Sequence, residues 1–136
     1  MKRVFLDSNI WLRLFTKDQS NQLESCRDLL TKIELGKLHP YISNIVLLEI
    51  AFTLKSFYKI KHNQVVKYLD TVFQTRNLTI IEKTNSKEAL ELHKKTGIKF
   101  SDCLIATQIN SKTKLVTYDK DFFTLTPGQV TTPEKL

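Results

Sequence analysis

Cysteine, proline and glycine are scarce in this chain of 136 residues, with two, three and three copies. Cys26 and Cys103 are too few and too far apart for a disulfide framework or a zinc site with paired ligand spacing, and both are expected to be reduced. The three histidines are scattered. His93 has no second His or Cys at ligand spacing, which argues against an imidazole-based zinc site. No apolar run approaches the roughly 20 residues needed to span a bilayer. The N-terminus also lacks the apolar core of a secretory signal, so the expected setting is the cytoplasm, with no membrane partner. A composition 41% hydrophobic and 26% charged excludes a fibrous or disordered chain and leads us to expect one compact domain over residues 1–136. Acid is the minority charge, 14 Asp and Glu against 21 Lys and Arg, giving a net charge of +7. Such a balance favours a polyanionic partner through electrostatic steering and counterion release. It gains meaning only beside a site where the acids gather.

The acids are placed in a recurring way. Val4-Phe5-Leu6 has the composition of a strand buried on both faces, and it stops at Asp7, followed by Ser8 and Asn9. Asp7 or Ser8 would cap the short helix that follows. Leu23, Cys26, Leu29, Leu30 and Ile33 recur at helical spacing up to a stop at Gly36. A second strand is expected over Leu38–Ile42, and Ser43 caps a helix that is apolar nearly all round. The only charge between Tyr41 and Leu54 is Glu49, with Ile45, Leu48 and Phe52 around it. A buried carboxylate needs a partner, either a Lys or Arg in an internal salt bridge or a functional one.

Lys55-Ser56-Phe57-Tyr58-Lys59-Ile60-Lys61-His62 interleaves basic and aromatic residues. Lys55, Tyr58, Lys59 and Lys61 form either a solvated helix end with favourable cations or a grip on a phosphate backbone. A further helix with Val65, Val66, Leu69, Val72 and Phe73 facing inwards leads to a third strand over Leu78–Ile81. Ser86 opens a helix ending at Gly97. Asp102 then follows Ser101, read as a cap, at the head of a helix otherwise uncharged up to Lys112. The helix dipole alone could account for that acid. A fourth strand from Leu115 ends at Asp119, repeating the setting of Asp7, and Asp121 is a site neighbour or a turn residue.

Strands and helices alternating at this spacing imply a parallel sheet with Asp7 and Asp119 leaving at one edge, where Glu49 and Asp102 can converge. Four carboxylates at one point repel one another unless a cation neutralises them. Hard oxygen ligands select Mg²⁺ or Mn²⁺. A cation held by acids can bind phosphate and activate water for phosphodiester hydrolysis.

Leu6-Asp7-Ser8-Asn9, Ser43 through Glu49, Ser101 through Ala106 and Thr117 through Phe122 resemble, in order and spacing, the four acidic motifs of PIN-domain ribonucleases. The length most resembles the VapC toxins of VapBC toxin–antitoxin pairs. The resemblance implies a three-layer α/β fold with a central parallel sheet of four or five strands flanked by helices. It implies that Asp7, Glu49, Asp102 and Asp119 hold Mg²⁺ or Mn²⁺, that Asn9 and Thr117 orient those acids or a water, and that Asp121 assists from farther out. It also implies cleavage of single-stranded or looped RNA to 5′-phosphate and 3′-hydroxyl ends, a homodimer, and a cognate antitoxin laid across the acidic groove. Thr107, where relatives commonly carry alanine, is the one small departure. Two further readings stand beside this one, a PIN module that binds RNA or protein without cutting and a housekeeping RNA-processing nuclease without an antitoxin. Phosphoryl-transfer receivers and haloacid dehalogenase-like phosphatases also place Asp after a strand. They would need a second acid where this chain has Asn9 and a lysine where it has Thr117.

Overall fold

Val4, Phe5 and Leu6 are all sealed from solvent, as a strand covered on both faces must be, and with Lys2 and Arg3 they form β1 (Lys2–Leu6). The structure, a computed structural model, describes residues 1–18 and 20–136. Among these residues β2 (Leu38–Ser43), β3 (Thr79–Ile81), β4 (Thr113–Val116) and β5 (Val130–Thr131) join β1 in one parallel sheet, ordered β3-β2-β1-β4-β5. The chain steps outwards from β1 to β2 and β3, then returns to lay β4 on the other side of β1. That reversal opens a crevice at the carboxyl ends of β1 and β4, the switch point at which open α/β sheets bind ligands.

The flanking helices are α1 (Ser8–Thr16), α2 (Ser20–Glu34), α3 (Asn44–Ser56), α4 (His62–Phe73), α5 (Ser86–Thr96), α6 (Phe100–Ala106) and α7 (Asp121–Leu125). The expected α/β arrangement is therefore present, with five strands. α1 packs on α2 and α3, and α3 packs on α6, which in turn meets α5 and α7. Those contacts carry α3 and α6 to the crevice. In α3, Val46, Ile50 and Leu54 are fully buried at spacing i, i+4, i+8, each worth about 1.5–3 kcal/mol of apolar transfer. Ser43 caps this helix through its hydroxyl, which accepts from the Val46 N–H at 3.2 Å. α5 ends at Gly97, whose φ of +68° is the left-handed turn that glycine adopts without penalty. No helix among the described residues is long and apolar enough to cross a membrane.

Several sequence readings are corrected. β2 runs one residue further, to Ser43. β4 covers Thr113–Val116 and stops before Thr117, and β5 was invisible because a two-residue strand carries no periodicity. Pro40 sits in β2 although that strand has a neighbour on each side; β3 pairs only with Tyr41–Ser43, so its ladder begins past the proline. The residue capping α6 is Lys99, not Ser101, which lies within the helix. Val66 and Phe73 face solvent, because Val65, Leu69 and Val72 set the inward stripe of α4 and their next neighbours are turned about 100° away. For the same reason Leu48 and Phe52 of α3, about 200° from Ile50, are 68% and 67% exposed. They do not enclose Glu49 as its sequence surroundings suggested.

Candidate active site

β1 ends at Leu6, paired with Val116 of β4, and the ladder continues one step as the Asp7 N–H donates to the Val116 carbonyl at 3.1 Å. This register sets Asp7 beside Thr117. One Asp7 oxygen, Oδ1, accepts from the Ser8 N–H at 2.8 Å and caps α1. The other, Oδ2, accepts from the Thr117 hydroxyl at 2.7 Å and from Asn9 Nδ2 at 3.2 Å. The Thr117 oxygen in turn accepts from Asn9 Nδ2 at 3.2 Å and from the Asp119 N–H at 2.9 Å, filling its hydrogen-bonding capacity. Asn9 Oδ1 accepts from the Tyr118 N–H at 3.4 Å. Asp7 is thereby fixed on both oxygens. Burial nevertheless pushes its pKa up to about 6; the Thr117 and Ser8 donors oppose that shift, and the nearby Glu49 and Asp119 charges add to it.

Across the crevice lie Glu49 of α3 and Asp102 of α6. Here the donors run short. Glu49 Oε1 and Asp102 Oδ2 are buried and have no hydrogen-bond partner. The nearest cation is Lys99, whose Nζ stands 3.5 Å from Glu49 Oε2 and 3.9 Å from Asp102 Oδ1. Of the two kinds of partner the sequence left open for Glu49, an internal lysine is thus present, in loose contact. Burial drives the Asp102 pKa up to about 8, partly offset by Lys99 and reinforced by Glu49, Asp7 and Asp119. Burial likewise raises Glu49, against the pull of Lys99 and a Ser101 hydroxyl.

Asp102, Asp119 and Asp121 each present a carboxylate oxygen within 4.8 Å of the others. Asp119 follows the end of β4, and its Oδ1 accepts from the Asp121 N–H at 2.9 Å as the chain turns into α7. Asp121 thus lies in the turn and also stands beside Asp102 and Asp119. Asp7 and Glu49 fall outside this trio and act on Asp102 through their charge. A cavity of about 480 Å³ opens beside these groups, lined by Ser8, Leu48, Glu49, Phe52, Thr53, Lys99 and Ser101.

The structure does not bring the basic-aromatic segment to these acids. α3 begins at the carboxyl edge of the sheet and runs away from it, leaving Lys55, Tyr58, Lys59 and Lys61 at its far end and in the loop beyond. The Tyr58 hydroxyl donates to Asp18, and its ring meets Phe57 edge-on at 4.9 Å. Lys55, Lys59 and Lys61 are exposed. Sequence reasoning missed Lys99, whose only local signal is its place three residues before Asp102, a spacing at which helical side chains meet.

A family model described as PIN domain matches residues 4–126. No curated protein matches the sequence. Among solved structures, VapBC2 from Rickettsia felis, bound to a DNA fragment from its promoter, is similar with a TM-score of 0.70 and 23% identity, over 96% of this chain and 98% of that one. VapBC-1 from nontypeable Haemophilus influenzae gives 0.65 and 16%, over 97% and 98%. A toxin–antitoxin complex from Klebsiella pneumoniae gives 0.62 and 18%, over 96% and 97%. At these identities the likeness is one of fold.

Proposed function

The chain belongs to the PIN-domain family, and from that premise we propose that it is a Mg²⁺- or Mn²⁺-dependent endoribonuclease and the toxin of a type II toxin–antitoxin pair. One observation supports the catalytic part above the rest. Asp102, Asp119 and Asp121 bring carboxylate oxygens within 4.8 Å of one another, Asp7 and Glu49 act on Asp102 through their charge, and Glu49 and Asp102 each carry a buried oxygen with no hydrogen-bond partner. An all-oxygen donor set of this kind suits a hard divalent cation, and the orphaned Asp102 oxygen is the sort of group such an ion would satisfy. Asp7, Glu49, Asp102 and Asp119 would hold it, with Asp121 close by. Bound there, the ion supplies a Lewis acid that polarises a phosphate oxygen, lowers the pKa of water and offsets charge growing on the leaving oxygen.

The chain's own residues do the positioning. Thr117 and Asn9 lock the Asp7 carboxylate, so it need not reorganise during reaction. The Asp121 N–H fixes Asp119. The buried floor of Val4, Phe5, Leu6, Leu115 and Val116 keeps bulk water from beneath the acids. A net charge of +7 steers RNA towards the protein. Hydrolysis would leave 5′-phosphate and 3′-hydroxyl ends, and the setting is the cytoplasm, where RNA is found. The toxin role draws on the similar VapBC complexes, and the inhibitor would be a cognate antitoxin reaching across the acidic groove. A homodimer would cover exposed apolar residues such as Leu48 and Phe52. Residues 1–136 are read as one such domain.

The test is cleavage of a structured RNA pool by purified protein, freed of any antitoxin, with Mg²⁺, Mn²⁺ or EDTA and with end mapping. Metal-dependent cuts bearing 5′-phosphates are expected. RNA binding without cleavage at any metal concentration would instead make the chain a non-catalytic binding module.

A further inference from the structure

Lys99 stands among the acids and is tied to them by one long hydrogen bond, from Nζ to Glu49 Oε2 at 3.5 Å. Its backbone is fixed, because its carbonyl accepts from the Asp102 and Cys103 N–H groups at 3.1 and 3.2 Å as the cap of α6. Its side chain is held only by long contacts. It is 61% exposed, while the Glu49 and Asp102 side chains it reaches for are 17% and 3% exposed. Both contacts are at the long end of ion pairing, and no other Lys or Arg among the described residues pairs with the five acids. Lys99 also lines the cavity of about 480 Å³, together with Ser8 and Ser101. A lysine is a compact charge on a flexible stem, and it binds phosphate as a point charge.

We propose that Lys99 is the residue of this site that grips the RNA phosphate, its ammonium passing from Glu49 and Asp102 to the phosphate once a divalent cation occupies the acids. This rests on the nuclease reading above. With the acids metal-free, Lys99 is the only Lys or Arg among the described residues that pairs with them. Neutralising the carboxylates weakens its hold on them, while the incoming phosphate offers a fresh anion at the cavity mouth. From there Lys99 can bear charge that develops on a phosphate oxygen in the transition state. It therefore touches substrate rather than metal.

The test compares wild type with Lys99→Gln and Lys99→Arg, each checked for an unchanged melting curve. Affinity for a fluorescein-labelled single-stranded RNA is followed by anisotropy in Ca²⁺, with the RNA verified intact on a gel, and Mn²⁺ binding without RNA is followed by calorimetry. Lys99→Gln is expected to bind RNA about tenfold more weakly, to lose about 0.7 from the slope of log K against log salt, and to lose about tenfold to a hundredfold in kcat/KM with Mn²⁺. Its Mn²⁺ affinity should equal or exceed that of wild type, and Lys99→Arg should recover most of the RNA affinity. Unchanged RNA affinity and salt slope in Lys99→Gln, with tighter Mn²⁺ binding, would overturn the proposal and leave Lys99 a stand-in for the metal. Whether wild type cleaves at all judges the nuclease reading, and the difference between wild type and variant judges Lys99.

Discussion

The two halves of the acidic crevice are built differently. On the strand side, Asp7, Asn9, Thr117 and Asp119 form a closed circuit in which both Asp7 oxygens and the Thr117 hydroxyl have partners at 2.7–3.2 Å. On the helix side, Glu49 and Asp102 keep buried oxygens with no donor and share one loosely held lysine. Orphaned buried acceptors cost about 1–3 kcal/mol each, more where they are charged, and a fold retains them where something else completes them. The strand side is thus a structural joint that also faces the crevice. The helix side has bonding capacity to spare for a ligand.

Exchanging substitutions between the halves should give the largest effects. Asp102→Asn is expected to reduce metal-dependent cleavage by at least about a thousandfold while leaving the melting temperature little changed, since it replaces the buried carboxyl by a group of the same shape and breaks no hydrogen bond to the chain. Asp7→Ala is expected to abolish activity and also to destabilise the fold by about 1–3 kcal/mol, because it strips the cap of α1 and strands the Thr117 hydroxyl. Calorimetric unfolding beside RNA cleavage checks both. Equal destabilisation by the two variants would erase the distinction.

A smaller effect should appear with pH. Asp7 and Asp102 titrate at about 6 and about 8 in the folded chain, against 3.8 for ordinary aspartate. The folded protein therefore holds protons that the unfolded chain has released. That contribution to metal-free stability is complete below the ordinary aspartate value and is lost as pH rises through about 6 and then about 8. In EDTA the melting temperature should be roughly 5–10 °C lower at about pH 8.5 than at about pH 5.5, and saturating Mn²⁺ should remove most of the difference. The smallest effect belongs to the far end of α3, where Lys59→Ala should weaken RNA binding less than about threefold and flatten the salt slope by no more than about 0.7.

The strand half of the site was more legible in the sequence than the helix half. An apolar run that stops at an acid is a local signal, and it located Asp7 and its capping role. The bond from Thr117 to Asp7 spans 110 positions and could be anticipated only through the family resemblance. Glu49 stood out as the only charge between Tyr41 and Leu54, yet Leu48 and Phe52 proved exposed, since a helix apolar nearly all round does not declare its inward face. Lys99 escaped notice because its ion pair with Glu49 joins residues 50 apart on different helices. The strand order that makes β1 the centre of the sheet is likewise a property of long-range pairing that no local pattern encodes.

The claim that the helix side is completed by a divalent cation is tested most directly by titrating Mn²⁺ into wild type and Asp102→Asn, with free Mn²⁺ followed by its paramagnetic resonance signal. Wild type should take up Mn²⁺ saturably, and Asp102→Asn should bind it at least about tenfold more weakly while remaining folded. Equal binding by the two proteins, or none by wild type, would contradict it.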